Sequence, residues 1–201
     1  MKIIKYEKKG NDKYRIYLEN NIKIDLYEDV IIKNNLLYKQ DLNEELLNKI
    51  DQDNSKYDLY HRVVKYIGVR LRSEKEIRSY LKKYTDDINL INELIERLDN
   101  NQLLNDELFT KAFINDKFKF SSMGPYMIMQ ELKSHNISDE IIYKYLNNLS
   151  DKEINEKMIK QINKIIKSSK NKDKLKNKIY TSLMRLGYKS EDILRYLNNN
   201  F

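Results

Sequence analysis

The chain has 201 residues, of which 40% are hydrophobic and 34% are charged, and its formal net charge is +7. No stretch approaches the roughly 18 uncharged apolar residues of a membrane-spanning helix. The absence of cysteine excludes disulfides, thiol catalysis and cysteine metal sites. The apolar run at the N-terminus is too short for a signal peptide, so we expect a cytoplasmic protein.

The first predicted element is a β-hairpin in the segment KYRIYLENNIKIDLYEDV, residues 13–30. Apolar residues alternate with polar ones on both sides of the pair Asn20-Asn21, which is the period-2 pattern of strands. Asparagine tolerates the positive φ that a tight turn requires. Ile3 and Ile4 would add a third short strand. The two inward-facing sets are Tyr14, Ile16 and Leu18, and Ile22, Ile24 and Leu26.

Two short helices are predicted next, in EDVIIKNNLL (28–37) and DLNEELLNKI (41–50). Asp41 and Glu44 have the spacing of a capping box, with Asp in place of the usual Ser or Thr. The polar stretch DQDNSK (51–56) indicates a break. We therefore predict a domain boundary there, with an N-terminal β-containing module over residues 1–53 and a helical domain over residues 54–201.

From residue 57 onward every segment has the 3.6-residue period of amphipathic helices. Three aliphatic pairs recur at steps of 51 residues, namely Ile77 and Leu81, Ile128 and Leu132, and Ile179 and Leu183. Such recurrence can arise by chance in a helical protein, but the third helices of the three copies also share an Asn-Asn tail. The pattern predicts a mainly α protein with three tandem three-helix repeats, at about 57–104, 105–149 and 150–201.

Several helix starts can be predicted from local sequence. Ser73 and Glu76 have capping-box spacing, and the pair Asp86-Asp87 is placed to cap a helix at Ile88. The chain's one proline follows a glycine at Gly124-Pro125. Proline suits the first turn of a helix, and glycine before it allows another backbone to approach closely. The alternative is that the corner KFSSMGPY makes a functional contact.

The positive charge is concentrated near the C-terminus, where residues 151–201 carry 13 basic and 6 acidic groups. Four lysines there recur at spacings of three and four residues, and four apolar residues occupy the opposite helix face. The run KSSKNKDKLKNK continues the basic character. The lysines are Lys157, Lys160, Lys164 and Lys167, and the apolar residues are Ile154, Met158, Ile162 and Ile165.

A second basic group lies in the first repeat: Arg62, Lys65, Arg70, Arg72, Arg78, Lys82 and Lys83. Localised basic surfaces favour a polyanion or an acidic protein as partner, and phosphate contacts by such groups set position without reading bases. A solvated lysine face of a protein from an AT-rich genome is the alternative. The sixteen tyrosines are interpreted as packing residues rather than base-stacking ones, including Tyr80, Tyr84, Tyr143 and Tyr145.

The motifs of common enzyme classes are missing from the sequence. The four glycines are isolated and form no phosphate-binding loop. DQDNS starts like a calcium loop but lacks the glycine and the closing glutamate. Glu131 and His135 lie one helical turn apart, which allows a hydrogen bond or one edge of a metal site, and we interpret them as a surface or capping pair. No catalytic, cofactor-binding or metal site is predicted.

Three segments together give a family resemblance: YIGVRLRSEKEIRSYLKKY, LIERLDNNQLLNDELFTKAFINDKF and GPYMIMQELKSHNIS. Their order and spacing resemble RecX, the bacterial regulator of the RecA recombinase, over about residues 57–201. The chain departs from the family pattern at three places. Asn101 and Gln102 stand where an Arg-Gly pair is common, Asn136 replaces a glycine before Ile137, and Lys117 replaces an arginine.

The resemblance implies an elongated, curved helical protein that inserts into the groove of the RecA–single-stranded DNA filament. It implies that the chain damps strand exchange and co-protease activity. We also expect a monomer with no membrane association, and we add Lys117 to the basic residues expected to contact RecA or DNA. The alternative function is a helical-repeat nucleic-acid-binding protein that acts without RecA.

Overall fold

A computed structural model describes residues 1–38, 41–169 and 174–201. The chain divides into an N-terminal unit, Met1–Arg70 with Ser79–Arg97, and a C-terminal unit, Leu71–Arg78 with Leu98–Phe201. Three strands and ten helices occur within the described ranges. The prediction of a mainly helical protein with a small N-terminal β-containing part is confirmed. No helix in these ranges has the length and apolar character needed to cross a membrane.

The strands form one antiparallel sheet in the order β1 (Ile3–Lys8), β2 (Lys13–Leu18) and β3 (Lys23–Tyr27). Tyr14 lies opposite Leu26, and Ile16 lies opposite Ile24, so the two predicted apolar faces meet. Asn21 turns the chain with a φ of 62°. The hairpin and the third strand are therefore confirmed.

The core of the N-terminal unit lies between this sheet and the helices α1 (Glu28–Lys33) and α2 (Glu44–Val69). Burial of each large aliphatic side chain contributes roughly 1.5–3 kcal/mol. The period-2 faces of β2 and β3 supply the sheet side, and Leu46, Leu47 and Tyr57 of α2 pack at its edge. The buried members are Ile16, Leu18, Leu26, Tyr27, Val30, Ile31, Leu36, Leu42 and Ile50.

The rest of the described chain consists of helices. They are α3 (Glu74–Leu81), α4 (Ile88–Asn100), α5 (Asp106–Phe120), α6 (Pro125–Ser134), α7 (Asp139–Leu146), α8 (Asp151–Ser168), α9 (Leu175–Leu186) and α10 (Ser190–Asn200). By position, the C-terminal part of α2 with α3 and α4 falls in the predicted first repeat, α5–α7 in the middle repeat and α8–α10 in the third repeat. All six residues of the recurring aliphatic pairs are fully buried, because they lie on the inward stripe of the second helix in each repeat.

The predicted break at residues 51–56 is wrong, because α2 continues through it. Asp53, inside the helix, is buried and is held by Lys33 Nζ at 2.8 Å and Asn34 Nδ2 at 3.0 Å. The predicted cap at Asp41 is also wrong: Asn43 is the N-cap, and its side chain accepts a hydrogen bond from the Leu46 amide. The division of the chain at residue 53 stays a prediction.

A shortened chain that begins at Ser55 tests this division. We expect the backbone amides of residues 57–69 to exchange faster than in the full chain. The shortened α2 loses its Asn43 cap, roughly three turns and the core contact of Ile50. Hydrogen exchange followed by mass spectrometry measures this, and amides of α8–α10 serve as the internal reference. Unchanged protection of residues 57–69 would support an independent module that ends at residue 53.

The predicted caps of the first repeat are present. The Glu76 amide donates to Ser73 Oγ at 3.3 Å, and the Ser73 amide donates to Glu76 Oε2 at 3.2 Å, which completes a capping box. Asp87 Oδ1 accepts hydrogen bonds from the amides of Asn89 and Leu90. These bonds satisfy amides that would otherwise lack partners at the helix start.

The glycine before the proline brings two backbones into contact. Pro125 opens α6, and the amide of Gly124 donates to the Leu186 carbonyl at 2.6 Å. The Tyr126 amide donates to the Gly187 carbonyl at 3.1 Å. A Cβ on Gly124 would lie 2.6 Å from the Gly187 carbonyl oxygen. The expectation of a rigid helix start with close backbone approach is therefore confirmed, and the crossing joins the middle and third repeats.

Two departures from the family pattern occupy backbone conformations that favour glycine. Gln102 has a φ of 56° and Asn136 has a φ of 63°. Asn136 lies 51 residues before Gly187, which has a φ of 84°, and both residues follow the second helix of their repeats. A glycine pattern at these positions is therefore explained by left-handed turns at helix ends.

Candidate functional site

Arg62 and Lys65, two of the predicted basic residues, lie on α2 beside an open cleft in the N-terminal unit. We call it the hairpin cleft. Its volume is about 810 Å³. The turn between β1 and β2 forms one wall, and side chains of α2 form the other. The lining residues are Lys9, Gly10, Asn11, Asp12, Lys13, Tyr27, Asp58, His61, Arg62, Lys65, Tyr66 and Tyr80.

Asp58 holds the cations of the hairpin cleft in place. Its Oδ1 accepts hydrogen bonds from Tyr27 Oη at 2.8 Å and Lys13 Nζ at 3.4 Å, and its Oδ2 accepts one from Arg62 Nε at 2.5 Å. Burial raises the pKa of the Asp58 carboxyl, but the hydrogen bonds from Arg62, Tyr27 and Lys13 outweigh it and leave the pKa below its usual value. One carboxylate thus fixes two cations, and the group keeps a net positive charge.

Aromatic rings make up much of the cleft wall. Tyr27 stacks on His61 with ring centroids 4.3 Å apart, and Lys13 Nζ lies 4.1 Å from the Tyr27 centroid. Tyr66 stacks on Tyr80, also at 4.3 Å. The Tyr27 ring is therefore enclosed by its neighbours, whereas the Tyr66–Tyr80 pair forms a half-buried edge of the cleft.

The tyrosines interpreted as packing residues fall into two groups. Tyr80 packs on Tyr66, and the half-buried Tyr145 donates a hydrogen bond to Glu107 Oε2 at 2.7 Å. Tyr84 is 47% exposed but packs edge-on against Tyr80 with ring centroids 5.3 Å apart, whereas Tyr143 is 46% exposed, so the interpretation is wrong for Tyr143. Helical spacing placed Tyr143 near the apolar stripe, but it lies on the solvent side of that stripe.

The connection between α2 and α3 contains Arg70 and Arg72, and Arg78 lies on α3. Arg70 is exposed, whereas the Arg72 side chain is only 12% exposed and its Nη1 lies 3.7 Å from Glu76 Oε1. Arg78 Nε donates to Glu74 Oε1 at 2.6 Å. The carboxylates of Glu76 and Glu74 therefore engage Arg72 and Arg78, and a phosphate would have to compete with them.

Lys82 and Lys83 are exposed in the turn after α3. Lys117 on α5 instead forms an ion pair with Glu131, with Nζ and Oε2 2.6 Å apart. The capping interpretation of Glu131 and His135 is confirmed, because His135 is the C-cap of α6 and its backbone amide donates to the Glu131 carbonyl at 3.2 Å. The His135 ring does not contact the Glu131 carboxylate as its partner; its Nδ1 lies 3.0 Å from Ser73 Oγ. Lys117 is half-buried and already paired, so it is a weaker candidate for phosphate contact than the turn lysines.

Lys157 does not belong to an exposed lysine face, which corrects the prediction. It is 9% exposed, and its Nζ donates to the Met123 carbonyl at 2.6 Å and lies 4.3 Å from the Phe118 ring centroid. Burial lowers the pKa of Lys157 to about 8. The Lys157 ammonium group therefore binds the backbone just before α6, so it is not available for a phosphate at the surface.

Lys160, Lys164 and Lys167 are exposed along α8, and we call these three the α8 lysine face. No ion pair of theirs occurs within residues 1–38, 41–169 and 174–201. On the opposite face, Met158 and Ile162 are buried in the core of the third repeat. The predicted continuation of the basic run falls partly on residues 170–173, which lie outside the described residues.

Sequence reasoning missed the hairpin part of the cleft, although Lys8, Lys9 and Lys13 surround Gly10 in the turn. A lysine-rich turn that contains glycine could have indicated an anion-binding surface at the hairpin. The burial of Lys157 could also have been predicted from its angular position on the helix. At 100° per residue it lies roughly 60° from Ile154 around the helix, at the edge of the apolar stripe.

The described residues contain no cluster of three or more His, Asp or Glu side chains placed to hold a metal ion. Besides the carboxylates of Asp12 and Asp58, the hairpin cleft presents four cations, hydroxyls and aromatic rings, and the α8 lysine face presents three cations. Such groups bind anions and planar ligands.

The family model, the similar sequences and the similar solved structures reported below are all described as RecX. Residues 105–146, which include α5–α7, match the family model described as RecX, second three-helix domain. Regulatory protein RecX of Listeria monocytogenes serotype 4a (strain HCC23) is 30% identical over 190 residues, which cover 94% of this chain and 71% of that protein. Regulatory protein RecX of Bacillus subtilis (strain 168) is 26% identical over 187 residues.

Solved structures share the fold. A crystal structure of a regulatory protein RecX superposes with a TM-score of 0.82 at 21% identity and covers 99% of both chains. The crystal structure of RecX from Lactobacillus salivarius gives 0.62 at 25% identity over 72% of this chain and 95% of that one. With the sequence match over nearly its whole length, the chain belongs to the RecX family of regulatory proteins.

Proposed function

We propose that the chain binds RecA and the RecA–single-stranded DNA filament and lowers recombinase and co-protease activity. The observation that carries this proposal is the sequence match to regulatory RecX proteins over 94% of the chain. We place this action in the cytoplasm, where a bacterial recombinase meets DNA, and we propose that the chain acts as a monomer.

The α8 lysine face supports the DNA part of the proposal. Lys160 and Lys167 lie about 10 Å apart along the helix axis, with Lys164 between them. The buried opposite face fixes the helix, so the three ammonium groups project together from a rigid element. Lysines contact phosphates without reading bases, which suits a regulator that must act on filaments of any sequence.

The proposed mode of action is binding rather than catalysis. The sequence has no phosphate-binding loop, and the basic side chains offer charge complementarity to a polyanion. A bound chain that spans neighbouring protomers would block filament growth. The exposed Arg70, Lys82 and Lys83 of the first repeat are proposed as further contacts with DNA or RecA.

Adding the purified chain to RecA should lower the rate of RecA's DNA-dependent ATP hydrolysis, and the chain alone should hydrolyse no ATP. The reason is that a bound regulator reduces the number of active protomers in the filament. A coupled spectrophotometric assay with single-stranded DNA measures both rates. An unchanged RecA rate at saturating chain, or nucleotide turnover by the chain alone, would contradict the proposal.

The triple variant Lys160→Gln, Lys164→Gln, Lys167→Gln tests the α8 lysine face in the same assay. It should inhibit only at higher concentration, and the slope of log affinity against log salt should fall by up to roughly 0.7 per lost phosphate contact. The matched control is Lys49→Gln, Lys111→Gln, Lys189→Gln, which removes three other exposed lysines. Equal losses in both variants would show that only net charge matters.

A further inference from the structure

We infer that the hairpin cleft is a binding site for single-stranded nucleic acid, which takes a short phosphate segment together with an unpaired base and needs no RecA. The inference goes beyond the proposed regulation of RecA and rests on different residues from the α8 lysine face. It is carried by the cleft's charge, by its aromatic edge and by the fixed positions of its cations.

The charge of the cleft suits an anion. Four cationic and two acidic side chains line it. Lys65 is exposed and has no ion pair within the part of the chain that the structure describes. Among the described residues, Lys9 forms an ion pair only with Glu7, at 3.0 Å on the surface, and exposed pairs of this kind contribute little. Both lysines can therefore turn to a phosphate at small cost.

The two remaining cations are already positioned. Lys13 and Arg62 share the carboxylate of Asp58, and Lys13 Nζ also lies over the Tyr27 ring, so the two cations are held side by side at the cleft, although a phosphate would compete with Asp58 for them. Ordering flexible side chains is one of the costs of binding, and a preorganised site avoids it. One carboxylate between two cations leaves a surplus positive charge beside Lys65, where a phosphate oxygen would be stabilised.

The aromatic edge distinguishes single strands from other polyanions. Tyr80 stacks on Tyr66, and Tyr84 meets Tyr80 edge-on with centroids 5.3 Å apart. Rings next to a basic groove are the usual composition of single-strand sites, because an unpaired base can extend the stack. Bases in a duplex are already stacked and paired. Nε2 of His61 in the cleft wall is buried without a partner among the described residues, so a polar ligand atom there would satisfy it.

The test measures fluorescence anisotropy of a short fluorescein-labelled oligothymidylate with the full chain, in the absence of RecA. It uses the α8 triple variant as background, so that the remaining binding reports the cleft. Adding Lys9→Gln and Lys65→Gln should weaken binding and lower the salt slope by up to roughly 1.4 for two phosphate contacts. Tyr80→Leu should weaken binding about tenfold without changing the slope, because it removes stacking rather than charge.

Lys49→Gln is the matched control. It removes a positive charge from the same helix, about 24 Å from Lys65 along the axis, and should leave binding unchanged once circular dichroism confirms each fold. No oligothymidylate binding in the background, equal losses at Lys49 and Lys65, or equally tight binding of a duplex would overturn the inference. The assay contains no RecA, so its outcome is separate from that of the RecA proposal.

Discussion

Replacing Gly187 with alanine should destabilise the folded chain by about 2 to 5 kcal/mol. Two penalties combine. Gly187 ends α9 with a φ of 84°, where a Cβ costs roughly 1–2 kcal/mol. That Cβ would also collide with the backbone nitrogen of Met127 at the start of α6. Overpacking of this kind costs roughly 1–3 kcal/mol, and the clash is with backbone, so a side-chain rotation cannot relieve it. Chemical denaturation followed by circular dichroism measures the change.

Gly68→Ala is the matched control for this substitution. Gly68 lies within α2, and a Cβ there would meet no atom within 4 Å. The change should therefore stabilise the chain by roughly 0.5–1 kcal/mol, because alanine favours the helix over the unfolded state. If Gly187→Ala proved as well tolerated as Gly68→Ala, the close crossing of α6 and the end of α9 would be wrong.

Lys157→Ala should cost about 2 kcal/mol of the free energy of unfolding. The substitution leaves the half-buried Met123 carbonyl without its 2.6 Å donor and removes the cation from the Phe118 ring. It also removes the packing of the long aliphatic stem. Lys160→Ala, three residues along the same helix and exposed, should change the free energy of unfolding by less than roughly 0.5 kcal/mol. A comparable loss in both variants would contradict the buried position of Lys157.

The pH dependence checks the same contact. Burial lowers the pKa of Lys157 from 10.5 to about 8, so between these values the unfolded chain binds more protons than the folded one. The contribution of this group to stability therefore rises as pH increases from about 7 to 9.5. Lys157→Met should lack that rise. Burial raises the pKa of Tyr188 to about 12, which acts in the opposite direction above pH ~10, and the comparison stops below it.

The elements that depend on neighbouring residues were predictable from the sequence. The hairpin follows from period-2 alternation around Asn21, and the capping box at Ser73 follows from a three-residue spacing. The repeats follow from recurring aliphatic pairs. The start of α6 follows from Pro125, because the fixed φ and missing amide of proline suit a first helical turn.

The elements that depend on distant residues were not predictable in the same way. Residues 51–56 are polar, yet they are helical because Lys33 and Asn34 hold Asp53. Lys157 has helical spacing with exposed lysines, yet it is buried because the corner before α6 offers a carbonyl oxygen to its ammonium group. The hairpin cleft needs the turn after β1 to lie against α2. None of these contacts produces a periodic pattern of residues from which it could be predicted.

The backbone crossing at Gly124 has a consequence for how the protein unfolds. In stacked-repeat proteins each repeat usually meets its neighbour through side chains, and terminal repeats can fray separately. Here the third repeat cannot detach from the middle one without breaking two main-chain hydrogen bonds, those to the carbonyls of Leu186 and Gly187. We expect this coupling to merge α5–α10 into one cooperatively unfolding unit, so that the amides of α8–α10 are protected from exchange as strongly as those of α5–α7.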